Sequence, residues 1–127
     1  SLRYAHGFPG AANPPDEMPT GSQWDAVHHG VCTALEISAV RQVVEASYDR
    51  ILIDEYQDCN AAQHALACAL SGIAPTLVFG DPMQGIFEFA GATLSWEGEI
   101  HRHFPLVGEL ETPHRWRHSN PALGEWI

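Results

Sequence analysis

The stretch "RILIDEYQDCN", residues 50–60, decides how this chain is read. Three apolar residues, Ile51, Leu52 and Ile53, run directly into Asp54 and Glu55, and an amide and a further acid follow at Gln57 and Asp58. "ILI" is a short β-rich run of the kind that forms an inner strand. A buried strand cannot carry carboxylates into its core, so the acids must begin where the strand leaves it. "TLVFGDP", residues 76–82, repeats the pattern, an apolar run ending in Gly80, Asp81 and Pro82.

The segments between these runs read as helices. Ser22 with Asp25 resembles a capping box that opens a helix through about Ala34. "EISAVRQVVEASY" puts Ile37, Val40, Val43 and Val44 on one helical face, and Gly30 leaves the join between the two helices open. Asn60 is a suitable N-cap for "AAQHALACALS", with Gly72 as its stop. "GIFEF" alternates like a strand, although a tight helical turn fits it equally well. Ser95 caps a short helix through His103, and "LVGELET" is a third strand candidate. Ser119 or Asn120 caps a last helix with Pro121 in its first turn. Helices alternating with strands imply βαβ units: an α/β fold with a parallel sheet and flanking helices. Such sheets are covered on both faces, which accounts for the unbroken apolar runs "ILI" and "LVF". Residues 1–21 are rich in Gly and Pro and read as a loop-rich N-terminal segment, leaving 22–127 as the folded part.

Composition narrows the function. The 127 residues carry a formal net charge of -10 with six arginines and no lysine. Such a surface repels a phosphate backbone, so weak or no nucleic-acid binding is expected of this chain alone. No apolar run approaches a membrane span, and no signal-peptide pattern opens the chain, so the expected compartment is cytoplasmic. Cys32, Cys59 and Cys68 form neither a disulfide framework nor a C-x-x-C knuckle. Among the eight histidines, the pairs His28-His29 and His101 with His103 do not complete a metal-ligand set by spacing.

In open parallel sheets, ligands sit beyond the carboxyl ends of the strands. Asp54, Glu55 and Asp81 are delivered to that edge. Carboxylates there suit Mg²⁺, and an Asp ending an apolar strand is the Walker B arrangement of P-loop NTPases. A following Glu stands where it can orient or deprotonate water. An equally simple reading makes Asp54 or Asp58 a cap for the next helix.

The wider match is more specific. "LIDEYQDCNAAQ" resembles motif II of the UvrD/Rep group of superfamily 1 helicases through Asp54, Glu55, Gln57, Asp58 and Gln63. "FGDPMQGIFEFAGA" resembles motif III of the same group through Gly80, Asp81, Gln84, Ile86, Phe87, Phe89, Gly91 and Ala92. "LETPHRWR" resembles motif IV, with Arg115 in the arginine place. The resemblance covers about residues 35–127 and implies that 22–127 is the C-terminal part of a UvrD-like ATP-binding domain, a partial RecA-like, P-loop NTPase motor domain. It implies that Asp54 binds Mg²⁺, Glu55 is the base for ATP hydrolysis, Gln84 senses the γ-phosphate and Arg115 is an arginine finger. Gln84's amide can donate to phosphate and accept from water, and a guanidinium meets phosphate oxygens bidentately. Phe87 and Phe89 fall where the family stacks single-stranded DNA bases, with core packing as the other reading.

The chain departs from the family at several places. Ala90 replaces the usual arginine of motif III, Gly85 a common Ser, Pro113-His114 an Asn-Tyr pair and Trp116 a Ser, so Arg117 rivals Arg115. The phosphate-gripping G-x-x-x-x-G-K-S/T is absent, because the chain has no lysine. "GFPGAANPPD" is not a substitute, since its prolines remove donors and it carries no cation. The expectation is therefore a fragment of an ATP-dependent DNA helicase, inactive alone. Its parent would use ATP, Mg²⁺ and single-stranded DNA together with its remaining motor domains. A second reading is a stand-alone, non-catalytic regulatory or interaction module on a degenerate P-loop scaffold. A third, a metal-dependent nuclease built on Asp54, Glu55, Asp58 and Asp81, demands a convergence that helix and strand periods disfavour.

Overall fold

A computed structural model describes residues 23–85, 94–112, 114 and 119–122. Helix α1 spans Gln23–Leu35 and α2 spans Ser38–Ser47. Strand β1 is Ile51–Ile53, helix α3 is Ala61–Ser71 and strand β2 is Thr76–Val78. A π-helical turn, Trp96–Ile100, runs directly into the short helix α4, His101–His103. Residues 121 and 122 are helical, in line with a helix opening at Pro121. The expected cap at Ser22 and the "GIFEF" segment lie outside the described residues.

β1 and β2 pair in parallel, with Ile51 opposite Thr76, Leu52 opposite Leu77 and Ile53 opposite Val78. The helix α3 that connects them makes this a βαβ unit. Asn60 caps α3 in a full capping box: its side chain accepts from Gln63 N at 3.0 Å, and Gln63 Oε1 accepts from Asn60 N at 2.8 Å. Neither Asp54 nor Asp58 caps this helix, so that simple account of the acids falls away. Gln63, one of the motif II matches, is held here by a structural task.

Helix α1 runs through Gly30 without a break, and the join to α2 falls at residues 36–37. Val27, Gly30 and Ala34 repeat at helical spacing and are buried, as is Ala67 on α3, so small residues let the two helices approach closely. Asn60 Nδ2 donates to Asp25 Oδ1 at 3.1 Å and ties the start of α3 to α1. The core where α3 meets the strand ends is aromatic. Tyr56, Ala67, Ile100 and Phe104 are buried together, with Ile53, Val78, Leu94 and Trp96 packed against them. Tyr56 meets Phe104 edge-on at 5.7 Å and Trp96 edge-on at 6.5 Å, the arrangement that ring quadrupoles favour.

Two expectations need correction, and a third is met without the burial that an apolar helical face usually brings. The sheet is not covered on both faces among the described residues: Leu52 is 62% exposed and its register partner Leu77 37%. Alternation sends Ile53 and Val78 to the aromatic core and their neighbours to the opposite face. The apolar stripe of α2 exists, yet α2 buries no residue and Val43 is 65% exposed. Finally, "LVGELET" is not a strand; residues 106–112 have no ladder partner among the described residues, and Leu106, Val107 and Leu110 are exposed. β propensity becomes a strand only where a neighbouring edge offers hydrogen bonds.

Candidate functional site

The acids stand at the carboxyl ends of β1 and β2, and an irregularity in the ladder puts them there. Phe79 N donates to Ile53 O at 2.7 Å, as a parallel ladder requires. The next bond of an even ladder would run from Glu55 N to Phe79 O. Instead Tyr56 N donates to Phe79 O at 2.8 Å, so one additional residue is accommodated between the two bonds. Glu55 absorbs the extra length with φ 53 and ψ 43, a left-handed conformation that costs a non-glycine residue of order 1–3 kcal/mol. The displaced Glu55 N donates to Asp54 Oδ1 at 2.9 Å. Asp54 and Glu55 are thus both exposed at the strand end, while Tyr56 turns inward and is buried.

Gln57 joins the two strand ends. It is the buried polar residue of the described core, 7% exposed. Its Nε2 donates to Glu55 Oε2 at 2.6 Å and its Oε1 accepts from Asp81 N at 3.0 Å. Reversing the amide would set donor against donor and acceptor against acceptor, so the network determines its orientation. Asp81 carries the chain of bonds onward: Oδ1 accepts from Met83 N at 2.9 Å and Oδ2 from Gln84 Nε2 at 2.8 Å. Glu55, Gln57, Asp81 and Gln84 therefore form one continuous hydrogen-bonded series. Gly80 is required where the series crosses, because a Cβ there would lie 2.8 Å from Gln57 Oε1 and 2.9 Å from Trp96 Cη2.

Asp54, Glu55 and Gln84 are thus brought to one edge. Phe87, Phe89, Ala90, Arg115, Trp116 and Arg117 lie outside the described residues, as do Ile86, Gly91, Ala92 and Pro113. Asp54 fits a hard divalent cation such as Mg²⁺: it is an exposed oxygen donor at the strand end, with Oδ1 accepting from its neighbour's amide. Asp54, Glu55, Asp58 and Asp81 do not gather into a three-ligand cluster among the described residues.

Sequence reasoning gave Gln57 no role of its own. It weighed His103 only with His101 and missed its approach to His64 and Cys68; the donor atoms of His64, Cys68 and His103 lie within 4.8 Å of one another. Of the pairs considered from sequence, His29 Nδ1 donates to Asp25 O at 2.7 Å, His28 stacks on Trp24, and His101 meets Trp96 edge-on. The i, i+4 spacing of His64 and Cys68 on α3 was the available signal. Tyr56 Oη and His64 Nδ1 are hydrogen-bonded at 2.7 Å. Burial, with smaller contributions from Cys59 and Cys68, pushes the Tyr56 hydroxyl up and keeps it protonated. The three thiols are free, and burial raises each of them. No helix among the described residues is long and apolar enough to cross a membrane.

Several known proteins resemble this chain. The ATP-dependent DNA helicase UvrD1 of Mycobacterium bovis is 32% identical over 107 residues, covering 78% of this chain and 14% of the relative. The protein of the same name from Mycobacterium tuberculosis matches to the same extent. The RecBCD enzyme subunit RecB of Buchnera aphidicola is 31% identical over 83 residues, 64% of this chain and 7% of that protein. The chain therefore spans a small part of the length of these relatives. No solved structure matches it. The UvrD/REP helicase N-terminal domain matches residues 21–105, most of the described fold and both strand ends. With its paired strands, its looped-out acids and this match, the chain belongs to the UvrD/REP helicase N-terminal domain family.

Proposed function

We propose that this chain supplies the Walker B and γ-phosphate-sensing half of the ATP site in an ATP-dependent DNA helicase. The observation that carries the reading is the series Glu55–Gln57–Asp81–Gln84, which couples the two strand ends through a buried amide. The names of the relatives, ATP-dependent DNA helicases, point the same way.

Asp54 would hold Mg²⁺, which when bound neutralises charge on the β- and γ-phosphates. Glu55 is the general base. Its side chain is fixed by the Gln57 amide and by its own left-handed backbone, so it meets an attacking water in one orientation. Gln84 presents an amide held by Asp81 and reports the γ-phosphate to the β2 end. Arg115, with Arg117 as its rival, supplies a guanidinium from the cleft edge, and Phe87 and Phe89 offer aromatic faces to single-stranded DNA. The lysine that grips phosphate comes from outside these 127 residues, as does most of the cationic surface that DNA needs. This chain alone then turns over no ATP.

The test is Glu55→Gln in the complete helicase. The amide keeps an oxygen to accept from Gln57, so ATP binding should persist while hydrolysis falls by about 10²–10⁴-fold. Normal hydrolysis by that variant would remove Glu55 from the mechanism.

A further inference from the structure

We propose that His64, Cys68 and His103 form a zinc site with three protein ligands and a fourth position open to solvent. The site is separate from the carboxylate edge and does not depend on the ATP reading. His64 and Cys68 stand one helical turn apart on α3, so they project from one face. His103 comes from α4, and its ring meets that of His64 edge-on at 5.6 Å.

The distances suit the ion. Zn–S and Zn–N lengths of about 2.3 and 2.0–2.1 Å at a tetrahedral angle put ligand atoms roughly 3.6 Å apart. Cys68 Sγ and His64 Nε2 are 3.6 Å apart. The three donor atoms lie within 4.8 Å of one another, so rotation of the exposed His103 side chain is the main adjustment needed. Two imidazoles and one thiolate select zinc over Mg²⁺ or Ca²⁺, which take oxygen donors.

The support behind the ligands is also present. With Nδ1–H donating to Tyr56 Oη, His64 turns the lone pair of Nε2 toward the thiol, the outer partner that metal-bound histidines require. Binding replaces the S–H bond of Cys68 by a Zn–S bond and releases that proton to water. The ion would tie α4 to α3 beside Tyr56, the residue that follows the looped-out acids.

The test uses the full chain, stripped with a chelator and with its thiols reduced, titrated with Co²⁺ alone as the spectroscopic probe. A thiolate-to-cobalt charge-transfer band with intense tetrahedral d–d bands should saturate at one equivalent and disappear when Zn²⁺ is added. Cys68→Ser should abolish the charge-transfer band. His103→Ala, at an exposed position, should weaken binding at least tenfold, and Tyr56→Phe by about 10–100-fold. His29→Ala should leave binding unchanged. Absence of the band in protein shown folded by circular dichroism overturns the proposal. So does a band that survives both Cys68→Ser and His103→Ala, or one that His29→Ala removes.

Discussion

Gln57 Nε2 donates to Glu55 Oε2 at 2.6 Å, so a buried amide holds the carboxylate that leaves the sheet at the end of β1. The same amide accepts from Asp81 N at the end of β2. Gln57→Leu keeps the volume and removes both bonds. The lost bonds and the Asp81 N–H left unpaired should cost about 1–3 kcal/mol in urea unfolding. In the complete helicase, kcat for ATP should fall while nucleotide affinity changes little. Unchanged kcat in a folded Gln57→Leu protein would show that the series does not orient Glu55.

Gly80→Ala tests the same crossing from the other side. The new methyl group would enter space held by Gln57 Oε1 at 2.8 Å and Trp96 Cη2 at 2.9 Å. One of these side chains must move, and overpacking of this kind costs about 1–3 kcal/mol. A lowered Tm with reduced ATP turnover in the complete helicase is expected. An unaltered Tm would mean that Trp96 yields without cost.

Asp54 has a backbone task, accepting from Glu55 N at 2.9 Å, and a proposed ligand task. Asp54→Asn keeps an acceptor oxygen and removes the charge. Its stability should stay within about 0.5 kcal/mol of the parent, the range of surface changes that spare such features. Metal-dependent ATP hydrolysis in the complete helicase should be lost. Retention of that hydrolysis would argue that Asp54 serves only the backbone.

The capping box separates fold from chemistry. Asn60→Ala removes the acceptor for Gln63 N and should cost about 0.5–2 kcal/mol, read as a shift in the urea midpoint. Gln63→Ala should cost less, because Asn60 N can find water. Neither change touches the series through Gln57, so ATP affinity of the complete helicase should be preserved at a temperature where both variants are folded.

The thiols of Cys32 and Cys59 are held above the ordinary value of 9.0, by burial first. A group whose folded pKa is raised contributes stability that is fully present below its unfolded pKa and lost as pH rises through the folded one. Unfolding free energy should therefore fall from about pH 9 upward. Cys59→Ser should flatten that fall. An identical alkaline profile in the variant would assign the loss to other groups.

Much of this was legible in the chain. "ILIDE" and "TLVFGD" announced two parallel strands ending in acids, and Asn60 announced the helix between them. These are local signals, set by side-chain period and by hydrogen bonds that close within a few residues. The motif pattern likewise pointed to the family that matches residues 21–105.

What could not be read was set by distant partners. Glu55 is left-handed because Tyr56 N, not its own, reaches Phe79 O across the sheet. Gln57 is buried because Asp81, far along the chain, brings an N–H to it. "LVGELET" has the composition of a strand but pairs with none among the described residues, and His103 meets His64 only through the contact of α4 with α3. Local periodicity specifies which elements form, whereas the geometry at their ends depends on groups brought together across the fold, and the candidate chemistry of this protein sits at those ends.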